Sequence, residues 1–230
     1  MSHTLQEYLN AFSQSENLSS LTNIGRGIER EALRVLPDGK LSDAPHHDQL
    51  GSALTHPSIT TDYSETLLEF ITPVSNTPET AIAQLQDIQK YTLSVIGDEL
   101  LWPLSMPCFV DNEDDIPLAQ YGTSNVGRMK TTYRQGLKNR YGSMMQVISG
   151  IHFNFSFSED FWTTLKTLDN SDLSQQAYIS KGYFKLLRNY KKYCWLIPYL
   201  YGSSPILCPS FLQDGPQNLP FKKAPSGALY

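Results

Sequence analysis

The sequence predicts an α+β protein whose sheet is antiparallel or mixed. Three segments, residues 24–35, 65–74 and 147–157, have the patterns of β-strands, and segments with apolar residues at helical spacing lie between and around them. The chain has 230 residues, of which 40% are hydrophobic, and this is enough to bury a core. It contains no internal repeat and no low-complexity linker, so we expect a single body.

The strand predictions rest on local patterns. Residues 24–35 read IGRGIEREALRV, with β-branched residues at both ends, and residues 36–41 follow as a tight turn. Residues 65–74, ETLLEFITPV, predict a second strand that ends at Pro73. Residues 147–157, VISGIHFNFSF, alternate most cleanly and predict the third.

Four helices are predicted from apolar periodicity. The first covers residues 4–12, and the second covers 77–97, which begins with a threonine cap, a first-turn proline and a glutamate. The third covers 130–141 after a loop at 122–125, and the fourth covers 180–201 with a break near Pro198. Residues 13–20 are polar and predict a loop.

Charge and hydropathy exclude several kinds of partner. The net charge is -5, and the basic residues form no run of the kind that binds a phosphate backbone, so nucleic acid is not predicted. Residues 193–212 are uncharged and as long as a membrane span, but three prolines and a glycine interrupt them. Residues 1–12 lack the basic and apolar regions of a secretory signal. The sequence therefore predicts no membrane partner.

Cysteine usage indicates the compartment. The three cysteines are an odd number without a C-x-x-C pair, which predicts neither a disulfide framework nor a zinc cluster. We therefore expect a reducing cytoplasm. The residues are Cys108, Cys194 and Cys208.

Candidate chemistry lies on one face of the predicted sheet. Glu29 and Glu31 are two residues apart on a strand and share a face, while Glu69 lies in an apolar run where a carboxylate needs a metal or an arginine. On the third strand His152 and Asn154 lie opposite the phenylalanines. Oxygen-rich ligand sets select Mg²⁺ or Mn²⁺ rather than zinc, and Mg²⁺ commonly bridges carboxylates to nucleotide phosphates. His152 either binds the metal or contacts a phosphate. The alternative for Glu29 and Glu31 is a solvated strand edge.

No common nucleotide-binding motif is present. The chain lacks a P-loop, and Gly25-Arg26-Gly27 opens a strand without the third glycine of a dinucleotide fingerprint. Lys130, Arg134 and Lys138 share one helix face, which either meets a phosphate or carboxylate or is solvated.

Longer stretches are much more specific and resemble the proteobacterial type of glutamate-cysteine ligase. The resemblance runs from about residue 23 to the last residue. The matching text includes GIEREALRV from Gly27, GSALTHPSITTDYSETLLEFITPV from Gly51, WPLSMPC from Trp102, LAQYGTSNVGR from Leu118, YRQGLKNRYG from Tyr133, SGIHFNFS from Ser149, GYFKLLRNY from Gly182 and IPYLYGSSP from Ile197.

The resemblance implies a glutamine-synthetase-like fold, in which a curved, mainly antiparallel sheet with flanking helices binds ATP and metals. It implies magnesium ligands at Glu29, Glu31 and Glu69, and a place at the metal and phosphate site for His152. His152 and Arg134 are the candidate catalytic residues. The resemblance also implies substrate contacts: Gln146 and Asn154 near the glutamyl group, and Tyr63, Tyr133 and Leu137 in the cysteine pocket.

The reaction implied is the opening step of glutathione biosynthesis. ATP phosphorylates the γ-carboxylate of L-glutamate, and the amine of L-cysteine then displaces phosphate; no protein partner is implied. Residues 1–230 are expected to be a single N-terminal portion of the catalytic domain, with the C-terminal remainder missing. Two alternatives remain open: a truncated, non-catalytic remnant that binds metal or nucleotide weakly, and a related enzyme that activates another carboxylate.

Overall fold

The computed structural model describes residues 4–202, 206–212 and 222–228. The α+β class is confirmed. The chain divides into two compact units: a helical unit of Met1–Arg26, Ser75–Thr77 and Phe155–Ser204, and a sheet unit of Gly27–Val74, Pro78–Asn154 and Pro205–Tyr230. The assignment of residues 1–230 to a single domain portion stays a prediction.

Helices and strands are interspersed along the chain. The helices are α1 (Leu5–Phe12), α2 (Ser15–Thr22), α3 (Pro78–Val95), α4 (Asn125–Tyr141), α5 (Glu159–Leu168), α6 (Gln175–Tyr193) and α7 (Leu196–Tyr201). The strands are β1 (Gly25–Val35), β2 (Ile59–Thr61), β3 (Leu67–Ile71), β4 (Leu100–Leu101) and β5 (Ile151–Ser156). Short 3₁₀ turns cover Asp48–Leu50, Glu113–Asp115, Met144–Val147 and Pro209–Phe211.

The helical unit is held by aromatic packing. Phe12 at the end of α1 stacks on Phe161 of α5, with ring centroids 5.3 Å apart. Phe161 also stacks on Phe157 at 4.3 Å and meets Trp162 edge-on. Trp162 is buried, and Gly182 brings the backbone of α6 directly against its ring. These contacts bury the apolar side of short helices that would be marginal in isolation.

The sheet unit is built around β1. Its strands run in the order β2-β3-β1-β4, and β5 also pairs with β1. The pairings of β1 with β3, β1 with β4 and β2 with β3 are antiparallel. Side chains that alternate along β1 enter two clusters: Leu33 packs with Tyr63 and Leu67, and Ala32 packs with Leu68.

Several predicted boundaries are wrong. The predicted loop at 13–20 is mostly α2, because α2 packs against α5 and buries Ser20. Helix α4 begins at Asn125, five residues before the predicted start at residue 130. The Ser124 side chain caps it by accepting a hydrogen bond from the Gly127 N–H. The helix predicted for residues 180–201 is interrupted at Cys194 and Trp195, between α6 and α7, and not near Pro198. The sequence predictions omitted β2, β4 and α5.

No helix among the described residues is both long and apolar enough to cross a membrane.

Candidate functional site

Two of the predicted carboxylates face each other on neighbouring strands. In the antiparallel pairing of β1 with β3, the Cα of Glu31 lies opposite the Cα of Glu69, so both side chains leave the same face of the sheet. Glu31 is 8% exposed and Glu69 is half-buried. The residues beside Glu69, Leu68 and Phe70, point into the core and are fully buried.

Strand β5 brings the remaining predicted polar groups to Glu29 and Glu31. The Glu29 carboxylate contacts His152 Nδ1 at 3.1 Å and accepts from Asn154 Nδ2 at 2.8 Å. The N–H of Gly150 donates to Glu31 Oε2 at 2.7 Å, and the N–H of Glu31 donates to the Gly150 carbonyl at 3.0 Å. The five side chains predicted to share a face are thus brought together.

Burial, hydrogen bonding and neighbouring charges shift the pKa of three of these groups. Burial, followed by the negative charges of Asp62, Glu31 and Glu29, raises the pKa of Glu69 to about 7. Burial also raises the pKa of Glu31, although the Gly150 N–H opposes this. The hydrogen bond with Glu29 raises the pKa of His152. Acidic side chains therefore outnumber basic ones on this face.

Asp62 is a member of this cluster that the sequence analysis missed. It follows β2 directly, and its charge raises the pKa of both Glu31 and Glu69. The pairing of residues 59–61 with residues 67–71 sets Thr60 opposite Glu69, and Asp62, two residues further along, lies on the same face. Strand β2 is only three residues long, too short to be predicted from alternation.

The cluster has the donor chemistry of a hard divalent cation, since carboxylate oxygens dominate and a cation would relieve the repulsion between them. Within the described ranges, no group of three or more His, Cys, Asp or Glu side chains is arranged to hold a metal ion. The residues fit such an ion by chemistry and charge, but the described side chains do not form a ready set of ligands.

The predicted cationic face of α4 is engaged by the protein itself. The Arg134 guanidinium donates from Nε to the Asp62 carbonyl and lies 4.7 Å from the Tyr121 ring centroid. Lys130 Nζ lies 4.9 Å from the same centroid. Lys138 Nζ contacts Asp114 Oδ1 at 3.0 Å. The solvated alternative is therefore wrong for Arg134, whose side chain is 12% exposed; its catalytic role stays a prediction.

The predicted cysteine-pocket residues differ in accessibility. Tyr63 is buried, and its hydroxyl bonds to Ser143 Oγ at 2.8 Å. Leu137 packs against the same core cluster as Tyr63. Tyr133 is exposed and lines a shallow groove along α4 with Met129 and other α4 residues. Gln146 lies partly exposed in the 3₁₀ turn before β5. The roles of these residues stay predictions.

Fold and site together define an α+β protein whose antiparallel sheet carries an acidic face. The chain belongs to the glutamate-cysteine ligase family, since the profile described as "Glutamate-cysteine ligase" matches residues 9–230. It is 57% identical over 228 residues to a glutamate-cysteine ligase of Pseudoalteromonas translucida and 55% identical over 219 residues to one of Aliivibrio fischeri. These matches cover 99% and 95% of this chain but 43% and 42% of the relatives.

Solved structures show the same likeness. A glutamate-cysteine ligase from Francisella tularensis, crystallised in complex with AMP, matches with a TM-score of 0.78 and 44% identity over 85% of this chain and 38% of its own. A bifunctional glutathione synthetase from Pasteurella multocida matches with a TM-score of 0.73 and 33% identity, covering 83% of this chain and 25% of its own. The chain thus spans less than half the length of the relatives it matches.

Proposed function

We propose that this chain is the N-terminal portion of an ATP-dependent glutamate-cysteine ligase, which joins the γ-carboxyl of L-glutamate to the amine of L-cysteine. The observation that carries the proposal is the facing pair Glu31 and Glu69, with Glu29 and His152 beside them, in a chain of this family. This reaction would be the first step of glutathione biosynthesis.

Glu29, Glu31 and Glu69 would hold Mg²⁺ or Mn²⁺, with His152 at its edge or at a phosphate. When bound, the ion would neutralise charge on the phosphoryl group that moves from ATP to the glutamate carboxylate. The protein's part is alignment and charge compensation, because phosphoryl transfer depends mainly on both. The raised pKa of Glu69, at about 7, supports this assignment, since an adjacent cation would favour its ionised form.

Substrate contacts follow the same reasoning. Asn154 is held by Glu29 and Gln146 lies just before β5, so both amides would lie near the glutamyl group. Tyr133 would present its exposed ring to cysteine, with Leu137 and Tyr63 supporting that side of α4 from the core. Arg134 would place a cation near the developing negative charge.

The proposed setting is the cytoplasm. All three cysteines are free thiols, which suits a reducing compartment. ATP is the proposed co-substrate, and the AMP complex of the Francisella tularensis relative supports a nucleotide site in the family.

The test is a full-length enzyme in which this chain replaces the matching segment of the Pseudoalteromonas translucida relative. With ATP, Mg²⁺, glutamate and cysteine, we expect ADP release and a product with the mass of γ-glutamylcysteine, and neither when one component is omitted. The parent relative is the control. An inactive chimera beside an active parent, or equal turnover with another carboxylate in place of glutamate, would contradict the proposal.

A further inference from the structure

Tyr121 occupies a place that the proposed reaction does not explain. It is 5% exposed, and its hydroxyl lies 2.7 Å from the carbonyl oxygen of Thr61 and 3.0 Å from that of Asp62. One hydroxyl proton is thus shared between two consecutive carbonyls. The two carbonyls lie on either side of the Asp62 Cα, so the hydroxyl holds the backbone that carries the Asp62 carboxylate.

The ring of Tyr121 is held as closely as its hydroxyl. Lys130 and Arg134, one turn apart on α4, both lie over the ring, with their cationic groups 4.9 and 4.7 Å from its centroid. Cation–π contacts of this kind are strongest where the groups are desolvated. The ring therefore helps to fix where the guanidinium of Arg134 lies.

Arg134 also binds the backbone of Asp62. Its Nε donates to the Asp62 carbonyl, its Nη1 donates to the Lys130 carbonyl at 3.1 Å, and its Nη2 lies 4.0 Å from Asp62 Oδ1. Tyr121 is thus the shared contact between the cationic helix and the backbone that carries an acidic group of the cluster.

We propose that Tyr121 is a positioning residue: its hydroxyl and ring together fix the Arg134 guanidinium against the backbone of Asp62, whose carboxylate belongs to the acidic cluster of Glu31 and Glu69. This inference rests on the proposed function. Groups that orient the ligands of a metal site commonly change affinity or rate when they are removed, even though they touch neither metal nor substrate. Tyr121→Phe is the suitable variant, because it keeps the ring and removes only the hydroxyl.

Two controls match the change chemically. Tyr91→Phe removes a hydroxyl that donates to the Gln49 carbonyl at 2.6 Å, elsewhere in the sheet unit. Tyr178→Phe removes a hydroxyl from a buried tyrosine, where it donates to Asp169 at 2.6 Å. Neither is part of the proposed site.

The first readout is the binding of Mn²⁺ to the purified full-length chimeric enzyme, measured by electron paramagnetic resonance. We expect Tyr121→Phe to weaken binding about 10-fold, by analogy with other groups that orient metal ligands. The controls should stay within about twofold of the wild type, as for most substitutions away from a site. Hydrogen exchange of the backbone amides supplies a second measurement. We expect faster exchange over residues 59–69 in Tyr121→Phe but not in the two control variants.

The second readout is kinetic and uses the chimeric enzyme. We expect kcat to fall about 10-fold in Tyr121→Phe while the KM for cysteine is unchanged, because Tyr133 and Leu137 keep their places. If Tyr121 only stabilised the fold, the variant would lower the amount of folded enzyme. It would not lower the kcat of the folded enzyme while leaving the KM for cysteine unchanged. If the wild-type chimera is active and Tyr121→Phe matches the controls in both readouts, the positioning role is refuted and the ligase function stands. A wild type that neither binds Mn²⁺ nor turns over would overturn both proposals.

Discussion

At the scale of single residues, Glu69 shows how strand geometry can place a charge beside a core. Its neighbours Leu68 and Phe70 are fully buried, and alternation along β3 turns Glu69 to the opposite face. There it meets Glu31 across the strand pair, with no lysine or arginine among the groups that shift its pKa. A carboxylate in this position destabilises the fold when charged, so its presence favours a functional role.

Replacing Glu69 with glutamine should separate function from folding. Glu69→Gln keeps the shape of the side chain and removes the charge that repels Glu31, so the folded state should be no less stable. In the chimeric enzyme we expect kcat to fall by about 10²-fold, since even groups around a metal ligand cost 10- to 100-fold when lost. A magnesium titration of the rate measures this. Wild-type rate and magnesium affinity in the variant would contradict the assignment.

The sequence predicts these residues unevenly, for physical reasons. Alternation along β1, β3 and β5 is local, so it was enough to place Glu29, Glu31, Glu69, His152 and Asn154 on one face. The positions of Asp62 and Tyr121 depend on chain segments that meet only in the folded protein. The partners of Arg134 are likewise set by packing of α4 against the end of β2, which no spacing rule contains.

At the scale of elements, a buried ion pair ties β1 to the segment that leads into β4. Arg34 of β1 is fully buried and forms two hydrogen bonds with the carboxylate of Glu99, at 2.7 and 3.0 Å. Arg34 also donates to the carbonyls of Ala44 and Glu65. His47 Nε2 contacts Glu99 Oε2 at 2.7 Å. One guanidinium thus connects three segments of the sheet unit.

This ion pair predicts acid lability. Burial raises the pKa of Glu99, but hydrogen bonds from Ser42, His47 and Arg34 outweigh it and leave the pKa below its ordinary value of 4.5. The folded state therefore binds this proton more weakly than the unfolded state. The stabilisation is present above about pH 4.5 and is lost as the pH falls through the folded pKa.

Urea unfolding of Glu99→Gln at neutral and acid pH tests this. At pH 7 we expect a loss of about 3 kcal/mol, because the buried Arg34 charge loses its partner. Below pH 4.5 the difference from the wild type should shrink. Asp87→Asn, which removes the partner of Lys90 in an exposed pair at 3.4 Å, should change stability by less than about 1 kcal/mol. A pH-independent difference would count against the ion pair as its cause.

The contact between α5 and α6 gives a second prediction at this scale. A Cβ on Gly182 would overlap the ring of the buried Trp162, whereas a Cβ on Gly136 of α4 would meet nothing within 4 Å. We expect Gly182→Ala to destabilise the protein by about 1–3 kcal/mol through overpacking. Gly136→Ala should stabilise it by about 0.5–1 kcal/mol, because alanine favours a helix interior. Thermal melts compare the two, and the same sign of shift in both would refute the packing argument.

Element prediction from sequence was limited by tertiary packing. Helix α1 was confirmed, because Leu5, Tyr8, Leu9 and Phe12 recur at helical spacing within it. Helix α2 was missed, since its polar residues favour turns and only its packing on α5 makes it a helix. Predicted strands were too long at residues 65–74 and 147–157, because apolar content continues beyond the paired residues of β3 and β5.

At the scale of the whole molecule, each unit leaves apolar surface in contact with water. In the sheet unit, Ile151 and Phe153 of β5 are 63% and 61% exposed. In the helical unit, the apolar side chains of α7 are all at least 44% exposed, and Tyr201 reaches 81%. Soluble monomers rarely expose contiguous apolar patches of more than a few hundred Å². In the full-length relatives, more than half of the chain lies outside the matched region.

These surfaces predict that residues 1–230 expressed alone will self-associate and will have no measurable ligase activity. Strand β5 pairs with β1, and the described part of the chain places no strand on its other side, which leaves an edge open to pairing with another copy. Glu29, Glu31 and Glu69 would also be only part of the metal site, so glutamate and ATP would be poorly aligned. A misplacement of about 1 Å can already cost on the order of 10²-fold in rate.

The measurement has two parts. Light scattering after size-exclusion chromatography should show species larger than the 26.0 kDa chain. ADP release with Mg²⁺, ATP, glutamate and cysteine, checked by mass for the dipeptide, should not exceed the background without enzyme. The chimeric full-length enzyme serves as the active control. If the isolated chain forms dipeptide at a rate near that of the chimera, the active site is complete within these 230 residues, and the exposed surfaces need another explanation.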